Sequence, residues 1–144
     1  MTEESVADVT DGRTGIRAGI VGVGSDLIEI ARIAKSIEQF GERFLDRIYT
    51  PGEIAYCRRK RPAAESFAAR FAAKEAAAKA LGTGISRGVG WREIEVRREP
   101  GERPRISLTG RAAERARAMG VGAMHLSLTH SRELAFAVVI AERG

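Results

Sequence analysis

The sequence predicts an α+β fold in which an antiparallel sheet packs against one long alanine-rich helix and several shorter helices. Three features lead to this prediction. Strand-like segments are joined by turns into hairpins, one helical segment in the middle of the chain consists mainly of alanine, and helices and hairpins are grouped instead of alternating as in βαβ folds. The chain has 144 residues, 44% of them hydrophobic, which suffices for one core.

We expect a single domain over residues 18–144, preceded by a flexible tail over residues 1–17 that is acidic, polar and aperiodic. Hydrophobic periodicity, bounded by glycine, proline or capping residues, predicts the elements of this domain. Strands are predicted over residues 20–28, 91–98, 105–108, 123–129 and 134–141, and helices over residues 31–40, 51–59, 66–81 and 110–119.

Local patterns mark several helix ends. The segment Thr50-Pro51-Gly52-Glu53 has the spacing of a capping box, with proline at the first helical position. Gly41 is expected to interrupt the first helical region, and Gly82 to end the long helix in the left-handed conformation. Thr109 is expected to cap the last helix.

The long helix has an unusual distribution of charge. At about 100° per residue, one sector carries only alanine. The rest of the surface holds the large and charged side chains, which are Phe67, Arg70, Phe71, Lys74, Glu75, Lys79 and Leu81. A helix exposed to water would place charges in the alanine sector. We therefore expect that sector to lie against a sheet and the charged side to border a cleft or an interface.

Glu75 and Lys79, one helical turn apart, have two interpretations. They could form a solvated i,i+4 surface pair, or they could bind a cation and a phosphate together. Asp26, a charge within an apolar strand, could cap the following helix or hold a ligand, and the glycines at positions 22 and 24 leave room for a bulky group beside it. His130 could be purely structural, but together with Ser131 it opens a tight connection from which both side chains could reach a phosphate.

The chain carries a net charge of +5, and only four of its 24 basic residues are lysines. Arginine suits phosphate and carboxylate partners, which keeps a basic nucleic-acid-binding domain as an alternative. Against this, aromatic residues make up 6% of the chain, and no stretch interleaves them with basic residues as a base-stacking groove would. A non-catalytic oligomerising module is a third alternative.

Cys57 is the single cysteine, which excludes an internal disulfide and a cysteine-based zinc cluster. No apolar stretch approaches the roughly 20 residues that cross a bilayer, and the first residues lack the pattern of a secretory signal. We expect a cytoplasmic protein with no membrane contact.

Three segments resemble the holo-[acyl-carrier-protein] synthases, the small class of 4'-phosphopantetheinyl transferases, in order and in spacing. They are residues 22–29 (GVGSDLIE), residues 70–85 (RFAAKEAAAKALGTGI) and residues 125–130 (HLSLTH). The middle segment is the most specific. The resemblance extends from about residue 19 to the C-terminus and implies the 4'-phosphopantetheinyl transferase-like fold.

The resemblance implies transfer of the phosphopantetheine arm of coenzyme A to a serine of an acyl carrier protein, with magnesium as the metal and adenosine 3',5'-bisphosphate as the released product. It places the magnesium ion on Asp26 and Glu75, which with Lys79 form the catalytic set. It also implies a trimer with active sites between protomers, in which a neighbour partly covers the charges of the long helix. Nucleic acid is not an expected partner.

By the same resemblance, the coenzyme A site consists of Arg70, Phe71, Lys79, Gly82, His130 and Ser131. Arg70 and His130 match positions near the 3'-phosphate, and Gly82 lies where the helix end meets the nucleotide. Arg32 matches a residue that faces the acidic carrier protein, and Arg43 and Arg47 extend its basic edge. The group that accepts the proton of the attacking serine stays open between a side chain and a metal-bound water.

Overall fold

The computed structural model describes residues 19–85 and 87–144, so the predicted tail over residues 1–17 lies outside the described residues. The elements are β1 (Ile20–Glu29), α1 (Ile30–Phe40), α2 (Glu42–Ile48), α3 (Pro51–Arg58), α4 (Ala63–Ala80), a 3₁₀ turn (Trp91–Glu93), β2 (Ile94–Arg97), β3 (Arg105–Leu108), α5 (Gly110–Met119), β4 (Val121–His130) and β5 (Leu134–Arg143).

The main sheet is antiparallel, with the strand order β1-β5-β4, and β2 and β3 form a separate antiparallel ribbon. Asp26 of β1 lies opposite Ala137 of β5, which in turn lies opposite Leu128 of β4. One face of the main sheet packs against α4, which is the predicted long alanine-rich helix. The predicted α+β fold is therefore confirmed.

The backbone of α4 lies directly against β1 because glycine occupies the contact positions. A Cβ atom added at Gly22 would overlap the carbonyl oxygen of Ala80, and one added at Gly24 would overlap that of Ala76. The expectation that Gly22 and Gly24 leave room for a bulky group beside Asp26 is therefore wrong, since the backbone of α4 fills the space.

The other side of α4 is covered by the same chain. Lys74 is completely buried, and its ammonium group lies 2.7 Å from the Glu53 carboxylate, which is also completely buried. Lys74 also donates hydrogen bonds to the carbonyl oxygens of Trp91 and Ile94. Glu53 accepts hydrogen bonds from the amides of Thr50 and Val96. The pair therefore joins α3, α4, the 3₁₀ turn and β2.

Arg70 is 4% exposed within the single chain. The same chain therefore covers Arg70 and Lys74, and the expectation that a neighbouring protomer partly covers the charges of the long helix stays a prediction for its other charges. Burial lowers the pKa of Lys74, and the nearby Glu53 carboxylate opposes that shift. The satisfied pair explains how a lysine lies in an apolar stripe of this helix.

Most predicted helix ends are confirmed. Thr50 and Glu53 form the reciprocal capping box of α3. Gly82, at φ 74°, follows α4 in a Schellman arrangement in which the amide of Thr83 donates to the carbonyl oxygen of Ala78. Gly41, at φ 55°, separates α1 from α2.

Three details differ from the prediction. α2 was not predicted, because its seven residues are too few to display a helical period. Trp91–Glu93 is a 3₁₀ turn instead of the start of a strand. Thr109 lies at the N-cap of α5, but its side chain makes no capping hydrogen bond. The Glu93 carboxylate accepts from the amide of Arg111 instead, so a residue distant in sequence caps this helix.

The face of the main sheet that points away from α4 carries exposed apolar side chains. Val23 and Leu27 are each 59% exposed, and Phe136, which lies opposite Leu27, is 36% exposed. None of the helices in the described part of the chain combines the length and the apolar character needed to cross a membrane.

The glycine contact gives a direct test of the packing. Gly24→Ala is expected to lower the free energy of unfolding by about 2–3 kcal/mol, because the new methyl group meets helix backbone that cannot move aside. Gly19→Ala is the matched control, since nothing lies within 4 Å of its added Cβ, and should change stability by less than about 0.5 kcal/mol. Urea unfolding measures both, and equal midpoints would contradict the packing argument.

Candidate active site

The first part of the candidate site lies between β1 and α4. Asp26 shares the helix-facing side of β1 with Gly22 and Gly24, because alternate residues of a strand point to the same face. The ammonium group of Lys79 lies 3.4 Å from Asp26 Oδ1 and donates to the carbonyl oxygen of Ser25 at 2.9 Å. The Lys79 side chain is 51% exposed and that of Asp26 is 19% exposed. The lysine can therefore move toward a ligand at little cost.

Glu75 lies one turn before Lys79 on α4. Burial and the charge of Asp26 raise the pKa of Glu75, while the charge of Lys79 opposes the shift. Lys79 is paired with Asp26 of a different element, and no ion pair joins it to Glu75 in the described residues. The interpretation of Glu75 and Lys79 as an isolated surface pair is therefore wrong.

The two carboxylates fit one class of metal. Mg²⁺ takes oxygen ligands and is held by one or two carboxylates, with substrate phosphates and water completing its shell. Asp26 and Glu75 provide that number of carboxylates, and their mutual repulsion is what a bound cation would relieve. The described residues contain no cluster of three or more His, Cys, Asp or Glu side chains, which a closed structural metal site would require.

The second part of the candidate site is a cavity of about 510 Å³ beside the N-terminal half of α4. Its charged lining is mainly basic and consists of Lys60, Arg61, Arg70, Arg98, His130 and Glu65. Glu65, the acidic member, lies 3.7 Å from His130 Nδ1. This excess of positive charge suits a phosphate group.

The guanidinium of Arg70 has a hydrogen-bond donor that no described residue of the protein uses. Its Nη1 donates to Ser66 Oγ at 3.2 Å, but its buried Nε has no hydrogen-bond partner in the described part of the chain. A buried polar group without a partner is costly. Arg70 lines the cavity, so an anion there would meet a guanidinium whose charge is not neutralised by an ion pair with another described residue.

The two parts are joined by α4. Arg70 precedes Glu75 by five residues, which corresponds to roughly 7.5 Å along the helix axis. Five residues also rotate the helix by roughly 140°, so the two parts lie on different sides of α4.

The other predicted coenzyme A residues are distributed differently. Phe71 packs against Trp91, with ring centroids 4.7 Å apart. Ser131 Oγ accepts from the amides of Glu133 and Leu134, so it stabilises the β4–β5 turn. Gly82 lies at the C-terminal end of α4, beyond Lys79. Only Arg70 and His130 of the predicted set line the basic cavity.

Sequence reasoning assigned no role to several cavity residues. Lys60 and Arg61 belong to the basic loop that follows α3, and the position of this loop before the Arg70 helix was a usable signal. Arg98 comes from the β2–β3 ribbon, and no local pattern links it to Arg70. Buried Cys57 accepts a hydrogen bond from Ser66, and burial raises the pKa of its thiol, so it is not an activated nucleophile.

The three arginines predicted to face a carrier protein lie on neighbouring helices. Arg32 is on α1, and Arg43 and Arg47 are on α2. All three are exposed, and none forms an ion pair with another described residue.

The coupling within the first part of the site can be tested by titration. Asp26→Asn is expected to lower the pKa of Glu75, because it removes one of the two causes that raise it. Lys79→Met is expected to raise the same pKa further, because the opposing positive charge is lost. Carboxyl ¹³C NMR measures both shifts, with Asp46→Asn on α2 as the control. If the pKa of Glu75 is the same in both variants as in the unmodified protein, the proximity of Asp26 and Lys79 to Glu75 is contradicted.

Comparison with known proteins identifies the family. The family model described as the 4'-phosphopantetheinyl transferase superfamily matches residues 22–139. The chain is 55% identical over 123 residues to the holo-[acyl-carrier-protein] synthase of Koribacter versatilis (strain Ellin345), covering 85% of this chain and 98% of that protein. It is 54% identical over 127 residues to that of Methylobacterium sp. (strain 4-46), covering 85% of this chain and 94% of that protein.

Two solved structures share the fold. The Helicobacter pylori holo-[acyl-carrier-protein] synthase in complex with coenzyme A superimposes with a TM-score of 0.73 at 34% identity, covering 83% of this chain and 98% of that one. The Bacillus anthracis str. Ames enzyme in complex with CoA (3',5'-ADP) gives a TM-score of 0.73 at 36% identity, covering 88% and 100%. The chain therefore belongs to the holo-[acyl-carrier-protein] synthases of the 4'-phosphopantetheinyl transferase superfamily.

Proposed function

We propose that the protein transfers the 4'-phosphopantetheine group of coenzyme A to a serine of apo acyl carrier protein and releases adenosine 3',5'-bisphosphate. The observation that carries this proposal is the arrangement along α4, with Asp26, Glu75 and Lys79 at one position and the basic cavity at another. Coenzyme A has a diphosphate and a separate 3'-phosphate, which match these two regions. The coenzyme A complexes of the related enzymes support the same assignment.

In the proposed reaction, the serine oxygen forms a bond to the phosphorus that carries pantetheine. The bond from that phosphorus to the leaving bisphosphate breaks, and the serine proton is released. Lys79 offsets negative charge that develops on the leaving group, while Arg70 and His130 hold the 3'-phosphate and fix the orientation of the nucleotide. Phosphoryl transfer of this kind depends on positioning and on charge, so no covalent enzyme intermediate is needed.

We infer that Asp26 and Glu75 hold a magnesium ion. When bound, such an ion supplies positive charge that offsets the charge of the diphosphate. The pKa of Glu75 is raised first by burial and then by the charge of Asp26, and the second of these causes supports this inference, because two carboxylates without a cation repel one another.

The proposed carrier-protein surface is formed by Arg32, Arg43 and Arg47 on α1 and α2. They are exposed and form no ion pair with another residue that the structure describes, so their charges are available to an acidic partner.

We further propose a homotrimer, in which a second and a third copy of the chain cover the outward face of the main sheet. Val23, Leu27 and Phe136 give this face its exposed apolar surface. Apolar patches of this kind mark association sites. The cytoplasmic location stays a prediction from the sequence.

Incubation with apo acyl carrier protein, coenzyme A and Mg²⁺, followed by intact-mass measurement, tests the transferase activity. The carrier is expected to gain one phosphopantetheine group, and chelation of the metal should abolish the gain. Asp26→Asn and Glu75→Gln should each lower turnover by at least about 100-fold, since each removes a ligand of the ion.

Sedimentation velocity provides the control for folding and assembly. Both variants are expected to form the same trimer as the unmodified protein. A carrier that gains no mass would contradict the transferase, full activity of both variants would contradict the metal assignment, and a monomeric unmodified chain would contradict the trimer.

Arg32→Glu tests the carrier surface. We expect the KM for apo carrier protein to rise about tenfold or more, because like charges then meet across the interface, while the KM for coenzyme A stays nearly constant. Arg117→Glu, an equal charge reversal on the exposed surface of α5, is the matched control. If both charge reversals raise the KM for carrier protein equally, net charge alone determines carrier binding and the proposed surface is contradicted.

A further inference from the structure

Tyr56 of α3 lines the basic cavity, although no role follows for it from the transferase chemistry. Its ring is surrounded by three cations. The guanidinium carbon of Arg70 lies 4.0 Å from the ring centroid, Lys60 Nζ lies 4.8 Å away, and the guanidinium carbon of Arg59 lies 5.8 Å away. These distances fall within the range of cation–π interactions, which extends to about 6 Å.

The contact with Arg70 differs from an ion pair in one respect. An acidic partner would hold the guanidinium in place but would also neutralise it. The ring of Tyr56 can orient the guanidinium while leaving its charge available to an anion. In the described part of the chain, no carboxylate forms an ion pair with Arg70, and its Nε has no hydrogen-bond partner.

Neighbouring contacts limit the guanidinium further. Arg70 Nη1 donates to Ser66 Oγ, and Ser66 donates in turn to Cys57 Sγ on α3. The Arg70 guanidinium is thus held by the Ser66 hydroxyl at Nη1 and by the ring of Tyr56, which lies 4.0 Å from its central carbon. Burial alone would raise the pKa of the Tyr56 hydroxyl, but the charge of Arg70, the hydrogen bond and charge of Lys60, and a hydrogen bond with Arg70 outweigh it and lower that pKa.

We propose that Tyr56 is a positioning residue for phosphate recognition: its ring holds the Arg70 guanidinium, uncompensated, in the orientation that binds the 3'-phosphate of the nucleotide. This inference rests on the proposed function for the identity of the ligand. The proposal assigns this role to the face of the ring, 4.0 Å from the guanidinium carbon, and Tyr56→Phe separates it from the role of the hydroxyl, which also interacts with Arg70 and Lys60.

Isothermal titration calorimetry with adenosine 3',5'-bisphosphate and with adenosine 5'-phosphate tests the proposal without any need for turnover. Tyr56→Leu removes the ring and should weaken binding of the bisphosphate about five- to thirty-fold, while binding of the 5'-phosphate changes less than twofold. Tyr56→Phe keeps the ring and should restore the bisphosphate affinity to within about threefold. Thermal unfolding verifies that the variants are folded, and Tyr56→Met replaces Tyr56→Leu if the latter does not fold.

The outcomes separate this inference from the function on which it rests. Equal loss of affinity for both nucleotides in Tyr56→Leu would indicate a general structural role and overturn the proposal. A loss in Tyr56→Phe as large as in Tyr56→Leu would assign the effect to the hydroxyl and would also overturn it. If the unmodified protein binds the bisphosphate but transfers nothing to a carrier protein, the proposed function fails while the calorimetric comparison still decides the role of Tyr56.

Discussion

The close contact between the backbone of α4 and strand β1 is the constraint on which the candidate site depends. Gly22 and Gly24 let the helix approach until its carbonyl oxygens occupy the space of two side chains. The next helix-facing residue of β1 is Asp26, and at this separation its carboxylate reaches Lys79 and interacts with Glu75. A wider spacing would separate the three charges, so two glycines without chemical function determine the geometry of the proposed reactive groups.

That contact fixes the distance of α4 from the sheet, and the buried pair of Lys74 and Glu53 fixes the helix from its other side. Both charges are fully paired, with each donor and acceptor directed at a defined partner. Such pairs contribute little net stability compared with apolar packing, but they define one arrangement because any other leaves a buried charge unpaired. Lys74 directly precedes Glu75, so this arrangement also sets the direction of the Glu75 side chain.

The sequence was sufficient to predict the elements whose causes are local. The capping box at Thr50, the end of α4 at Gly82 and the alanine sector of α4 all depend on nearby residues, and all were confirmed. The partners of buried charges could not be predicted, because Glu53 and Lys74 are 21 residues apart. For the same reason the capping box was assigned only its local role, and the basic loop was not connected to Arg98 across the cavity.

The three cations Arg70, Lys74 and Lys79 of α4 differ in their partners. This difference distinguishes a lysine that stabilises the fold from cations that are proposed to bind a ligand. Lys74 uses all its donors within the protein and can do no more than hold elements together. Arg70 is nearly as deeply buried, but its Nε has no hydrogen-bond partner in the described part of the chain, and Lys79 is half exposed beside the Asp26 carboxylate of β1. An unsatisfied buried donor costs free energy, so Arg70 keeps charge and donor capacity that Lys74 has already used. Charge and burial alone do not identify such residues, because Lys74 and Arg70 share both.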